Sequence, residues 1–185
     1  MKVKELTMTA IFAALTAVFA QIIIPLSFTP VPFSMGVFAV YLTGAILDKR
    51  HAVYAQLIYI LLGAVGIPVF GGMRGGIGFF AGPSGGYILT YPLMAFLVAC
   101  IAQVWKRKTV VSLAAGMLCA IAVCYIGGSL WYCAVAKVTW ATSVKYTVLP
   151  FVPFDLIKIA ACAPFGKALN TALGKAKLLP AQRVK

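Results

Sequence analysis

Apolar residues fill this chain in long blocks rather than in a helical stripe or a strand alternation, and short polar or glycine- and proline-rich stretches separate the blocks. A helix needs about 20 apolar residues to cross a hydrocarbon core. On that scale the pattern predicts six helices, roughly Leu6–Ile24, Met35–Leu47, Ala52–Gly66, Gly85–Trp105, Val110–Ala136 and Val152–Leu173. The second and third are short, so either their ends extend further or they cross only part of the layer. Short connections and six helices use up the length, which predicts an all-α, polytopic membrane protein: one six-helix transmembrane bundle, residues 1–185 as a single domain, with no room for a soluble one.

Composition agrees, since 63% hydrophobic and 10% charged residues exclude an ordinary soluble domain. A net charge of +13 would suit nucleic acid, but its distribution points elsewhere. With a cytoplasmic N-terminus, Lys2, Lys4, Lys49, Arg50, Lys106, Arg107, Lys108, Lys167, Lys175, Lys177, Arg183 and Lys185 all fall inside. Only Arg74, Lys137 and Lys145 fall outside, and Lys158 lies within a span. That bias predicts a multi-pass protein of the cell membrane with both termini cytoplasmic, a lipid bilayer as its surroundings and no nucleic-acid partner. Met1–Gln21 has the outline of a signal peptide, but five spans follow and no convincing small-residue cleavage site appears, so an uncleaved first helix is expected. Cys100, Cys119, Cys124, Cys133 and Cys162 are scattered without a Cys-x-x-Cys and read as packing residues. His51 stands alone at a turn beside Lys49 and Arg50, so neither a metal site nor a cofactor is expected.

Asp155 and Lys158 break the apolar stretch from Leu149 to Leu173, in a chain with only three acidic residues. An ionised side chain at the centre of a membrane helix costs roughly 2.5–3.5 kcal/mol on insertion scales, so it needs a reason. Positions i and i+3 share a helix face, which sets carboxylate and ammonium side by side. Such a pair either pins two helices or holds a ligand. Pro150 and Pro153 put Asp155 in the first helical turn, where the dipole favours an anion.

Two unusual loops are expected on the same outer side. Pro25–Ser34 carries three prolines, which hold backbone extended. Pro68–Tyr87 carries eight glycines around Arg74 and several aromatics. Glycine lets backbone approach a ligand closely, although tight packing would also select it. Irregular backbone at membrane depth is tolerated where it lines a cavity. The convergence of both loops with the ion pair favours a ligand site, with Phe33, Phe79, Phe80 and Tyr87 available to enclose an apolar body.

Two motifs mislead. Gly76–Ala81 matches G-x-G-x-x-A but lacks the surrounding strand and downstream acid, and no phosphate-binding loop occurs anywhere. Gly82-Pro-Ser-Gly-Gly86 matches G-x-S-x-G and raises a rhomboid-like intramembrane serine protease as an alternative. That chemistry requires a base near Ser84. His51 is expected on the opposite membrane face, and Asp155 argues against a free, neutral Lys158.

The runs Ile24-Pro25 to Thr29-Pro-Val-Pro-Phe-Ser34, Tyr59 to Gly63-Ala-Val-Gly-Ile-Pro-Val-Phe70, Gly75-Gly-Ile-Gly78 to Gly82-Pro-Ser-Gly-Gly-Tyr87, and Asp155-Leu-Ile-Lys158 resemble the BioY family. These are biotin-specific S components of energy-coupling-factor transporters, and the likeness extends over nearly the whole chain. It implies that the single domain is a substrate-binding, non-enzymatic transport subunit that takes biotin from outside. It also implies a transmembrane T subunit and two ATPase subunits as partners. Asp155 and Lys158 would anchor the ligand, with Gly75, Gly76, Ser84, Gly85, Gly86, Tyr87, Phe33 and Phe79 around it. Where the family pattern has Thr and Gln after the proline pair, this chain has Ser34 and Gly36, so a contact from that glutamine is absent. Arg74 is the candidate for the biotin carboxylate on charge and placement rather than on a match. An S component or carrier for another vitamin stays open as an alternative. On the first helix, Ala10 and Ala14, and Ala13 and Ala17, are small pairs at i and i+4. The resemblance makes that helix the docking surface for the T subunit.

Overall fold

In the computed structural model, residues 3–24, 29, 31–104, 109–176 and 178 are described. The elements are α1 (Val3–Ala20), a short antiparallel pair β1 (Ile23–Ile24) and β2 (Phe33–Ser34), α2 (Gly36–Ile46), α3 (Lys49–Ala64), a 3-10 turn (Ile77–Ala81), α4 (Gly85–Leu89), α5 (Tyr91–Val104), α6 (Val110–Ala136), α7 (Trp140–Thr147) and α8 (Val152–Lys175). The six expected helices are present, with α4 and α5 forming one apolar run over Gly85–Gln103. Three differences stand out. The first helix stops at Ala20, because the chain turns into β1. The third starts earlier, at Lys49, because the Asp48 side chain accepts from the Arg50 N–H and caps it. And α7, which the sequence pattern does not predict, fills the connection before α8 and is bent 53° from it.

By length and composition, Val3–Ala20, Gly85–Gln103 and Val110–Ala136 each suffice to cross a membrane, and the bent pair α7–α8 passes the same test when its two helices are taken as one span. The short helices have a different solution. α2 has only 11 residues, and every residue from Ala39 to Leu47 is buried. A helix apolar on all sides belongs in an interior, and here α1, α3, α5 and α8 surround it. Gly44 allows the closest approach: a side chain there would collide with the Ala95 carbonyl and Val98 of α5.

One polar junction fixes three helices to each other. The Gln56 amide donates to the hydroxyls of Thr16 and Thr43, both at 3.1 Å, joining α3 to α1 and α2. Each threonine in turn donates to a carbonyl one turn back, Thr16 to Phe12 at 2.9 Å and Thr43 to Ala39 at 2.7 Å, so the hydroxyls are satisfied in an apolar interior. At the end where α1 begins, His51 pairs with Asp48 and lies 3.8 Å from Glu5. Glu5 and Asp48 thus gather on His51, the single histidine.

Candidate ligand-binding site

The opposite end of the bundle encloses a cavity of about 630 Å³. Ala20 at the close of α1, Val31 and Pro32 before β2 and Ser34 within it, the glycine loop around Arg74, and side chains from α4, α5, α6 and α8 all contribute to its wall. Fifteen residues of α1 separate Glu5 from Ala20, about 22 Å along the axis at 1.5 Å per residue. The histidine cluster is therefore remote from the cavity. Ser84 lines the cavity and His51 does not, so no Ser–His dyad assembles.

The ion pair sits in the wall of this cavity. Lys158 Nζ donates to Asp155 Oδ1 at 3.0 Å and to the Ser34 carbonyl at 2.8 Å, and it lies 3.9 Å from the centre of the Phe33 ring. The Tyr125 hydroxyl donates to the other carboxylate oxygen, Oδ2, at 2.6 Å. Asp155 and Lys158 are each only 6% exposed. α8 begins at Val152 with Pro153 in its opening turn, so Asp155 does stand at the positive end of the helix dipole. A carboxylate accepts only, and an ammonium donates only. The pair therefore offers adjacent acceptor and donor groups, a match for a ligand edge bearing N–H beside C=O.

The glycine-rich loop is built onto the same frame, whereas Pro25–Phe28 and Pro30 of the proline-rich loop lie outside the described residues. Phe70 and Arg74 exchange backbone hydrogen bonds at 2.9 and 3.2 Å. Gln21 of the α1–β1 turn donates to the carbonyls of Val69 and Phe70 and accepts from the Met73 N–H. Gly76 has φ 93°, a conformation that favours glycine, and its N–H reaches the Gly63 carbonyl at 2.7 Å. Arg74 lies exposed on the cavity wall, and among the described residues no salt bridge reaches it.

Of the residues singled out from sequence, Asp155, Lys158, Arg74, Gly75, Phe79, Ser84 and Tyr87 line the cavity together. Gly76, Gly85, Gly86, Phe33 and Phe80 do not. Phe33 instead lies against the Lys158 ammonium. Gly85 packs on the Phe80 backbone and Gly86 on Trp131, whose indole N–H donates to the Phe80 carbonyl at 3.0 Å. These two glycines let the 3-10 turn close against α4 and α6. Ala13 also differs from expectation: it is 2% exposed and belongs to the core, while Ala17 is half-buried and only Ala10 and Ala14 face outward. Pattern reading missed Tyr59, Tyr91, Cys124, Tyr125 and Phe151 in the wall. Tyr59 is fully buried, stacks with Tyr91 at 6.1 Å, and its hydroxyl has no protein partner. A buried polar atom without a partner in a cavity wall is a contact point for a ligand or water.

A sequence model of the BioY family matches residues 1–175. The chain is 37% identical over 170 residues to a probable biotin transporter BioY of Pyrococcus horikoshii, covering 92% of this chain and 98% of that protein. It is also 37% identical over 161 residues to the biotin transporter BioY of Thermotoga maritima, covering 86% of this chain and 92% of that one. Among solved structures, the S-component for biotin from an ECF-type ABC transporter superposes with a TM-score of 0.85 and 24% identity, covering 92% of each chain.

Proposed function

The chain belongs to the BioY family, and from that premise we propose that it is a membrane-embedded S component that captures biotin from outside and delivers it to an ATP-driven energy-coupling module. The observation that carries this reading is the buried Asp155–Lys158 pair in the wall of a cavity of about 630 Å³. That volume falls within the range of about 300–1,000 Å³ common for small-molecule sites. Biotin carries a ureido ring with two N–H donors beside one carbonyl, an apolar thioether ring, and an aliphatic tail ending in a carboxylate. The ureido N–H groups donate to Asp155, and the Lys158 ammonium donates to the ureido carbonyl. Phe79, Tyr87 and Tyr91 enclose the apolar body, and the carboxylate reaches Arg74.

The remaining assignments are parts of the same proposal. Residues 1–185 act as one substrate-binding domain, with both termini cytoplasmic and the cavity opening outward. The chain hydrolyses no ATP itself, and a T subunit with two ATPase subunits supplies the energy. The outward Ala10–Ala14 face of α1 is where the T subunit docks.

Titration calorimetry on the purified protein tests the ligand. Biotin is expected to bind tightly, and thiamin and riboflavin to give no heat; a clear titration with another vitamin and none with biotin would replace the assignment. Arg74→Met tests the tail contact. Biotin binding is expected to weaken by about three- to tenfold, a modest effect because water screens an exposed charge. Biotin amide, which has no carboxylate, is expected to bind the variant and the wild type alike. An equal loss for both ligands would remove Arg74 from the tail contact.

A further inference from the structure

We propose that Tyr125 is a positioning residue for ligand recognition: its hydroxyl holds the Asp155 carboxylate in the one orientation that reads the ligand's N–H groups. This rests on the biotin reading above. Lys158 and Asp155 are neighbours on one face of α8, and the ammonium holds only Oδ1. A carboxylate held at one oxygen still turns about its Cβ–Cγ bond. The second donor comes from a different helix, since Tyr125 belongs to α6, which packs along α8. Its bond to Oδ2 is 2.6 Å, the length of a charge-assisted O–H···O⁻ bond.

Two donors on two elements set the plane of the carboxylate. Each oxygen then has one protein donor, and the remaining acceptor positions are left for a ligand. Lys158 is placed by similar means, with the Ser34 carbonyl and the Phe33 ring taking up two of its directions. Tyr125 also lines the cavity, so its ring could contribute by simple contact. The two roles separate experimentally, because the hydroxyl acts through Asp155 and the ring acts directly on the ligand.

Biotin binding by the wild-type chain, measured first, tests the underlying reading; comparisons among variants then test Tyr125. Tyr125→Phe keeps the ring and is expected to weaken biotin by about tenfold or more, as for other hydrogen bonds to charged groups. Desthiobiotin keeps the ureido ring and lacks the thioether ring, and it is expected to weaken by the same factor. In an Asp155→Ala background, adding Tyr125→Phe is expected to change the Kd less than about twofold, since the hydroxyl then has no carboxylate to hold. The proposal is overturned if Tyr125→Phe binds both ligands as wild type does, if the loss is confined to biotin, or if the two losses multiply in the double variant.

Discussion

Asp155→Asn and Lys158→Met are each expected to weaken biotin binding by roughly thirtyfold to several thousandfold while leaving the bundle folded. Truncating one partner of a desolvated, hydrogen-bonded pair typically costs about 2–5 kcal/mol, much of it the penalty of stranding the other charge. The two variants are not equivalent. Without the aspartate, the Lys158 ammonium still has the Ser34 carbonyl and the face of Phe33. Without the lysine, the Asp155 carboxylate keeps, among the described residues, one side-chain donor, the Tyr125 hydroxyl. Lys158→Met is therefore expected to lower the melting temperature more than Asp155→Asn. Combining both substitutions removes the stranded charge, because a neutral pair in an apolar site is often as stable as the ions it replaces. The double variant is expected to regain stability and not binding. Calorimetry with biotin and thermal unfolding without it measure the two properties separately; wild-type affinity in both single variants would reduce the pair to a helix clamp.

The bundle was legible because membrane helices announce themselves through composition. The apolar run alone predicts α6 at Val110–Ala136, and the structure has the same limits. Boundaries failed where local chemistry overrides hydropathy: an aspartate cap moves the start of α3 back to Lys49, and β1 claims Ile23 and Ile24 from the first helix. α7 was invisible for a similar reason. Its eight residues, Trp140–Thr147, mix polar and apolar types, and no apolar run marks them. The short length of α2 is explained by its burial among α1, α3, α5 and α8.

Site residues were legible where a charge stood in an apolar block, as for Asp155 and Lys158, or where a glycine run surrounded a single arginine. Tyr125 gave no such signal. It lies within the longest apolar helix, and its partner is 30 positions away, so only packing reveals the bond. Glycines mislead in the other direction. Gly85 and Gly86 belong to the loop motif, yet their lack of a side chain serves the contacts with Phe80 and Trp131 rather than the cavity. Several basic residues behind the expected orientation (Lys2, Lys106, Arg107, Lys108, Lys177, Arg183 and Lys185) lie outside the described residues, so the fold leaves that expectation to the charge pattern alone.

Replacing Ala10 and Ala14 together with Trp is expected to abolish co-purification of the chain with the T and ATPase subunits while biotin binding stays within about twofold of wild type. The two alanines lie one turn apart on the outward side of α1 and are exposed, with exposed Thr7 on the same face. Small residues at that spacing let a second helix approach closely, which is the main source of helix association where no hydrophobic driving force acts between apolar surfaces. An indole at each of these exposed positions would hold a partner helix several ångströms away. Ala13→Trp provides the contrast. Ala13 is 2% exposed in the core with Phe12 and Met8, so a large ring there overpacks the interior and is expected to destabilise the chain by about 1–3 kcal/mol or more. Loss of partners with the ligand site intact for the Ala10/Ala14 variant, against loss of folding for Ala13→Trp, would separate a docking face from a packing face on one helix. If the Ala10/Ala14 variant still co-purifies with its partners, the docking surface lies on another helix.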